Sequence, residues 1–311
     1  MVDASTTASV FASALTFIVQ EDVLDNLRSD LVYADPSYAQ EGDFDAGRDT
    51  LMFVSVPDLS VSTTPLTEGT RPDKQALSFG TVTVSTSQYG NLVSITDLAK
   101  VKSPVQIAEI ARERLGRNAA EVVDTVTRNV AAAGGIVSFQ GTNTTRAGIG
   151  AGEILVAGDL RKLRGKMLKR KIPLFPDRKY RLIVSTEQAY DIRSEAVTGT
   201  GAFIDVNRYS RPEQILAGEI GTLEGFRIME TPTAPTASST VTVHIALAMG
   251  AIKAWGAGEL QTLTMHHVAP GGDHTDPLAQ EELLGWKVNF GVAVLDNDYY
   301  YRLESAATDL S

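Results

Sequence analysis

Residues 103–135 carry one unbroken helical pattern, and no other stretch restricts the fold so much. Ser103 suits the N-cap, Pro104 the first helical position, and Gln106 the place where a capping box carries Glu or Gln. Apolar residues recur at Ile107, Ile110, Ala111, Leu115, Ala119, Val122, Val123, Val126, Val130 and Ala133, in steps mostly of three and four. Glu109/Arg112, Glu113/Arg117 and Asp124/Arg128 are expected to face away from that stripe, as a solvent side. Gly134-Gly135 closes the helix. A helix of roughly 30 residues is roughly 45 Å long, more than the diameter of most small domains. Its apolar face has to be covered by something larger than its own turns. Gly116 and the drifting period suit a globular seam better than the strict heptad of a coiled-coil arm.

With 311 residues, 43% of them hydrophobic, the chain has apolar material for one large domain or two ordinary ones. The absence of cysteine excludes disulfides, zinc–thiolate centres and cysteine nucleophiles. A formal net charge of −10 opposes binding of nucleic acid by bulk electrostatics. No apolar run approaches the roughly 18 residues of a membrane span. The run Val10–Val19 is broken by Ser13 and Thr16 and has no Lys or Arg before it, so no export signal is expected.

Before the long helix, residues 1–40 read as an extended arm with one short helix over Phe17–Leu31, ended by Asp35-Pro36. Residues 42–99 form a β segment. Thr50–Val56 alternates loosely, and 61–75 is a polar loop rich in Thr and Pro. Phe79–Thr86 and Asn91–Thr96 are expected to be two strands of a hairpin turning at Gln88-Tyr89-Gly90. Its intervening residues are Thr and Ser, so the ribbon is wet and needs a partner surface.

Beyond a glycine-rich stretch, Leu155–Lys171 reads as a helix with Leu160, Leu163, Met167 and Leu168 on one face and a basic opposite face. Ten Lys/Arg lie between 161 and 181, including Arg161, Lys162, Arg164, Lys166, Lys169, Arg170 and Lys171, against one acid, Asp177. In so acidic a chain this charge segregation favours head-to-tail pairing between copies over DNA binding. Tyr180–Ser185 is a buried strand, Glu219–Met229 a turn into a strand, and Val241–Ala248 another strand, together an α/β or α+β lobe near 150–250. Gly285–Arg302 is apolar and aromatic, with strand-like alternation from Trp286 to Val294.

Reactive groups that converge are scarce. His266, His267, Asp273, His274 and Asp276 crowd one stretch, but Pro270 and two glycines make it a surface loop rather than a metal site. Gly148-Ile149-Gly150-Ala151-Gly152 lacks a preceding strand and the dinucleotide spacing, and neither a phosphate-binding GxxxxGK[ST] nor a GxSxG elbow is present. No cofactor, metal or catalytic residue is expected.

The order of arm, projecting two-stranded loop, long helix, α/β lobe and returning aromatic strand resembles the major capsid proteins of tailed bacteriophages, the Hong Kong 97 fold. Leu66-Thr67-Glu68-Gly69 through Ala76-Leu77-Ser78-Phe79, with Gln88-Tyr89-Gly90 and Ile95-Thr96-Asp97-Leu98-Ala99, is similar to the extended loop entering that family's spine helix. Gly218-Glu219-Ile220-Gly221-Thr222-Leu223-Glu224-Gly225-Phe226-Arg227 is similar to a stretch crossing its axial domain. Asp276-Pro277-Leu278-Ala279-Gln280, Gly285-Trp286-Lys287 and Ala293-Val294-Leu295 are similar to its closing segment.

The resemblance implies an α+β Hong Kong 97-like capsid fold: N-terminal arm 1–45, extended loop 46–98, peripheral domain with spine helix 99–149, axial domain 150–250, and returning peripheral segment 251–311. It implies a non-enzymatic virion protein, assembled in the host cytoplasm into pentamers and hexamers of an icosahedral head around double-stranded DNA. The DNA would be met only by non-specific proximity, and no membrane would take part. Scaffold, portal and decoration proteins are separate partners; nothing before residue 15 has the length of a scaffolding segment. Contact residues between subunits are expected at Glu68, Arg71 and Lys74 of the loop and in the basic run Arg161, Lys162, Arg164, Lys166, Lys169, Arg170 and Lys171. The alternatives are an encapsulin-like nanocompartment shell and, from another class, a metal-dependent enzyme using the His266/His267/His274 loop.

Overall fold

The computed structural model describes residues 32–34, 39–43, 50–56, 59–61, 63, 65, 68, 69, 71, 74–102, 107–197, 204–205, 219–271 and 278–310. The expected arm helix Phe17–Leu31 and the cap residues Ser103, Pro104 and Gln106 lie outside them. The strands are β1 (Ala39–Asp43), β2 (Thr50–Ser55), β3 (Gly80–Ser85), β4 (Ser87–Thr96), β5 (Ile136–Phe139), β6 (Tyr180–Ser185), β7 (Ile204–Asp205), β8 (Glu219–Leu223), β9 (Phe226–Thr231), β10 (Thr236–Ser238), β11 (Thr242–Met249), β12 (Trp255–Val268), β13 (Glu281–Val294) and β14 (Tyr300–Ser305). The helices are α1 (Asp97–Lys102), α2 (Ile107–Ala133), α3 (Ala157–Lys169) and α4 (Thr186–Val197).

The long helix is α2, 27 residues in one run. Its stripe lies on a four-stranded sheet ordered β1-β12-β13-β4. Ala111, Leu115, Ala119 and Val123 are buried against Leu284, Trp286, Val288 and Phe290, alternate residues of β13, with Ile95 of β4 and Leu263 and Met265 of β12. A 3.6-residue stripe thus meets a two-residue period, and each supplies the cover the other lacks. Gly135, at φ 78°, ends the helix. A Cβ there would stand 2.6 Å from the Tyr300 ring, so the residue both turns the chain and admits the aromatic.

Asp124 does not face solvent as its spacing from Arg128 suggested. It is 6% exposed and accepts the backbone N–H groups of Val32 and Tyr33 at 3.0 and 2.7 Å. Arg128 instead donates to the Thr233 carbonyl at 2.6 Å. Glu113 and Arg117 do form an exposed pair, at 3.1 Å.

An eight-stranded sheet runs β5-β14-β11-β6-β9-β8-β7, with β10 on β11. Leu160, Leu163 and Met167 of α3 and Ala189 and Ile192 of α4 cover one face, against Leu182, Val184, Phe226, Ile228, Ala246 and Ala248. The expected fourth member of the α3 stripe, Leu168, is 48% exposed. The opposite face packs Ile183, Leu247 and Met249 with Ala131 of α2, Trp255 and Tyr33. Glu219–Met229, expected as a turn into a strand, is a full hairpin of β8 and β9 turning at Glu224-Gly225. The last segment divides: β12 and β13 belong to the smaller sheet and β14 to the larger, beside β5. Segment 251–311 therefore contributes strands to both sheets, while 99–149 lays α2 on the smaller sheet and adds β5 to the larger.

The hairpin expected at Gln88-Tyr89-Gly90 does not exist. Gly90 lies inside β4, opposite Lys287. A Cβ on it would stand 2.7 Å from the Trp286 carbonyl oxygen, so the glycine permits a close backbone approach rather than a turn. β3 pairs instead with β2, from Thr50↔Ser85 to Ser55↔Gly80. No helix among the described residues is long and apolar enough to cross a membrane.

Candidate inter-subunit surfaces

The β2–β3 ribbon is apolar on both faces. Leu51 and Phe53 oppose Val84 and Val82 on its inner face, where Val84 is 1% exposed. The seat beneath is made of glycine. A Cβ at Gly256 would stand 2.5 Å from the Phe53 ring, and one at Gly291 2.5 Å from the Ser85 carbonyl oxygen. On the outer face Met52 and Val54 oppose Thr83 and Thr81. Val56 and Phe79 follow beyond the last pair, and these four apolar side chains are 48–64% exposed. Four large apolar residues in one line, uncovered by their own chain, mark an interaction surface. Every described residue from 56 to 81 is exposed, and Gln75 ties the connecting segment across itself by donating to the Ser60 carbonyl at 2.9 Å. Glu68, Arg71 and Lys74 lie exposed on this segment. The apolar character of Leu51–Val54 is legible in the sequence, but not which phase is seated and which is left uncovered.

The basic run is less free than its composition suggests. Arg161 binds Glu224 at 2.7 Å, and Arg164 lies against Gly225, where a Cβ would meet its Nε at 2.7 Å. The cationic face of α3 thereby clamps the β8–β9 turn. Lys162 donates to the Gly141 carbonyl and Lys166 to the buried Ser138 hydroxyl at 2.8 Å. Burial pulls the Lys166 ammonium below its ordinary pKa, and Lys162 adds to that. Arg170 pairs with Asp298 at 2.9 Å. Arg181 pairs with Asp177 at 2.6 Å and stands 4.6 Å above the Phe175 ring. Lys169, Lys171 and Arg178 remain, exposed and with no ion pair among the described residues.

His266 and His267 are not in a loop. His266 and His267 are successive residues of β12 and so point to opposite faces. His267 meets the buried Glu282 carboxylate at 2.6 Å, which also takes Lys100 of α1. Burial, then Arg112 and Lys100, hold the His267 pKa below its usual value. Asp273, His274 and Asp276 lie outside the described residues, and no group of three metal-ligating side chains occurs among those described. The strand, not a loop, decides where these imidazoles go, and it sends one of them to a carboxylate.

Residues 80–303 match the family described as phage capsid protein. The chain belongs to that family. The capsid protein is a structural, non-enzymatic component of the virion. Its α+β fold is similar to that of the capsid of Ralstonia phage GP4, at a TM-score of 0.73 and 15% identity with 90% of each chain covered. The capsid of cyanophage P-SCSP1u gives 0.64 and 17%, over 90% of this chain and 89% of that one. The head of Helicobacter pylori bacteriophage KHP40 gives 0.62 and 12%, over 88% of both. At these identities the likeness is one of fold. No curated protein matches the capsid protein.

Proposed function

We propose that the capsid protein assembles with itself into the pentamers and hexamers of an icosahedral head, and that its β2–β3 ribbon reaches over the adjacent subunit. The observation that carries this is the uncovered line Met52, Val54, Val56 and Phe79, on a ribbon whose other face is already seated. Glu68, Arg71 and Lys74 would meet the same neighbour along the rim. In this reading residues 1–45 are the arm, 46–98 the extended loop, 99–149 the peripheral domain with α2 as spine, 150–250 the axial domain and 251–311 the returning segment. The cover of α2 by β13 supports the spine role, because a rigid two-layer unit can transmit load between neighbours. A net charge of −10 suits a wall that holds DNA without trapping it. Scaffold, portal and decoration proteins would be separate chains.

Shell contacts of this kind bury more than about 2,000 Å² spread over several neighbours, so each can be weak while closure makes them act together. The test is electron microscopy and light scattering of the purified protein and of a Val54→Asp/Phe79→Ser variant. Shells from the wild type, and a folded variant that forms none, are expected. Shells formed by the variant at the wild-type concentration would overturn the assignment.

A further inference from the structure

Two residues of the loop joining α3 to β6 occupy a backbone conformation that ordinarily belongs to glycine. Lys171 follows the α3 C-terminus at φ 58°. Its N–H donates to the Leu168 carbonyl at 2.9 Å and that of Ile172 to the Met167 carbonyl at 3.2 Å. This is the double-bonded helix stop whose left-handed position is usually glycine. Arg178 closes the next turn, also at φ 58°, with its N–H on the Phe175 carbonyl at 2.8 Å and the Phe175 N–H on the Lys179 carbonyl at 3.2 Å. At both positions a Cβ is crowded and glycine would be easier. Glu224 adopts the same region, at φ 48°, and its carboxylate holds Arg161 at 2.7 Å. Lys171 and Arg178 have no such partner among the described residues, and both are exposed.

The wider charge balance says what they meet. From totals of 28 Lys/Arg and 38 Asp/Glu, the ten bases and one acid of 161–181 leave 18 bases against 37 acids in the rest of the chain. Another copy is therefore an acidic body to any cationic loop on this one. A duplex offers negative charge too, but would have to approach against the field of those acids.

We infer that Lys171 and Arg178, with Lys169 beside them, form the cationic half of a contact with an acidic surface of a second copy of this chain. The inference rests on self-assembly and names one of its contacts. It makes a two-sided prediction, because glycine at these positions relieves the backbone while removing the charge. The Lys171→Gly/Arg178→Gly variant is expected to unfold at a temperature equal to or above that of wild type. It is also expected to need at least about 5-fold more protein to assemble, which corresponds to about 1 kcal/mol at 1.4 kcal/mol per tenfold. Its assembly should depend less steeply on sodium chloride between roughly 50 and 500 mM, since screened cationic contacts have been removed.

The experiment is light scattering against protein concentration at several salt concentrations, with thermal unfolding of the unassembled subunit. Unchanged assembly threshold and salt slope overturn the inference and leave the shell function standing. A variant that assembles normally but loses retention of a fluorescent 20-base-pair duplex held by the wild type (20 being a length of about two turns) also overturns it, in favour of nucleic acid. A wild type that forms no oligomer at any concentration removes both readings.

Discussion

The Asp124 carboxylate of the long helix accepts the Tyr33 backbone N–H at 2.7 Å, across 91 residues of sequence. Val32 donates to the same oxygen at 3.0 Å, and the Trp255 indole N–H donates to the Tyr33 carbonyl at 3.2 Å. One turn of chain is therefore held from both sides, by helix and by strand. Asp124→Ala leaves the buried Tyr33 N–H and the half-buried Val32 N–H without this acceptor and is expected to cost about 2–4 kcal/mol. Urea denaturation of the unassembled subunit measures it; a loss within error of zero would show that water takes over both bonds.

Asp124 also fixes a pH dependence. Burial raises its pKa against the lowering effect of the backbone donors and Arg128. A carboxyl with a raised folded pKa contributes stability that is complete below the ordinary carboxylate range and lost as pH rises through the raised value. Asp124→Asn keeps an oxygen for the donors and does not titrate. Its stability relative to wild type should therefore increase between about pH 4 and pH 7. Denaturation curves at three pH values check the sign.

Asp177 behaves the opposite way. Burial pushes its pKa up, but Arg181, the Lys179 N–H and Arg227 outweigh it, and the net value is lowered. Its contribution is present above the ordinary carboxylate range and lost as pH falls through the lowered value. Asp177→Asn is expected to cost about 1–3 kcal/mol at neutral pH, since Arg181 and Arg227 lose a shared partner. The deficit should shrink in acid, and one that stays constant to low pH would place the cost in packing instead.

Removing residues 60–78 tests the projecting segment itself. Described residues in that span are exposed, so the deletion should leave a folded subunit that fails to assemble. Circular dichroism and native mass spectrometry separate the two properties. Unfolding of the subunit would place the segment in the core.

Gly291→Ala probes the seat of the ribbon. Its new Cβ would stand 2.5 Å from the Ser85 carbonyl oxygen, so backbone must move, at a cost of about 1–3 kcal/mol. Hydrogen exchange should accelerate in β2 and β3 while α2 keeps its protection. Uniform protection across the ribbon would mean that the seat yields without strain.

What the sequence disclosed and what it hid divide by distance along the chain. The α2 stripe and the alternation of β13 are local periodicities, and each pointed to the other as cover. Asp124 beside Arg128 has the spacing of a solvent-facing pair, and nothing local reveals that Tyr33 claims it. Gly90 looks like a turn because the residue it approaches, Trp286, is remote from it along the chain. The cations of α3 were legible as charge, but Glu224 and Asp298, which hold Arg161 and Arg170, come from a hairpin and a late turn. His266 and His267 read as part of a surface loop because Pro270 and two glycines follow them, yet they are successive residues of β12 and point to opposite faces.

The seat beneath the ribbon sets a mechanical property of the whole subunit. Because Gly256 and Gly291 offer no side chains, the ribbon rests with Phe53 and the Ser85 carbonyl directly on the strands. Over Gly291 the contact is main chain on main chain, with no side chain between to rotate and absorb a misfit. The bearing of the ribbon is therefore a constant of the molecule, like the angle of an arm welded to a plate. A small tilt at that joint is magnified along the connecting segment to its tip. Curvature among neighbouring subunits has to be found elsewhere, at the tip or in the surface that receives it, and not at the root.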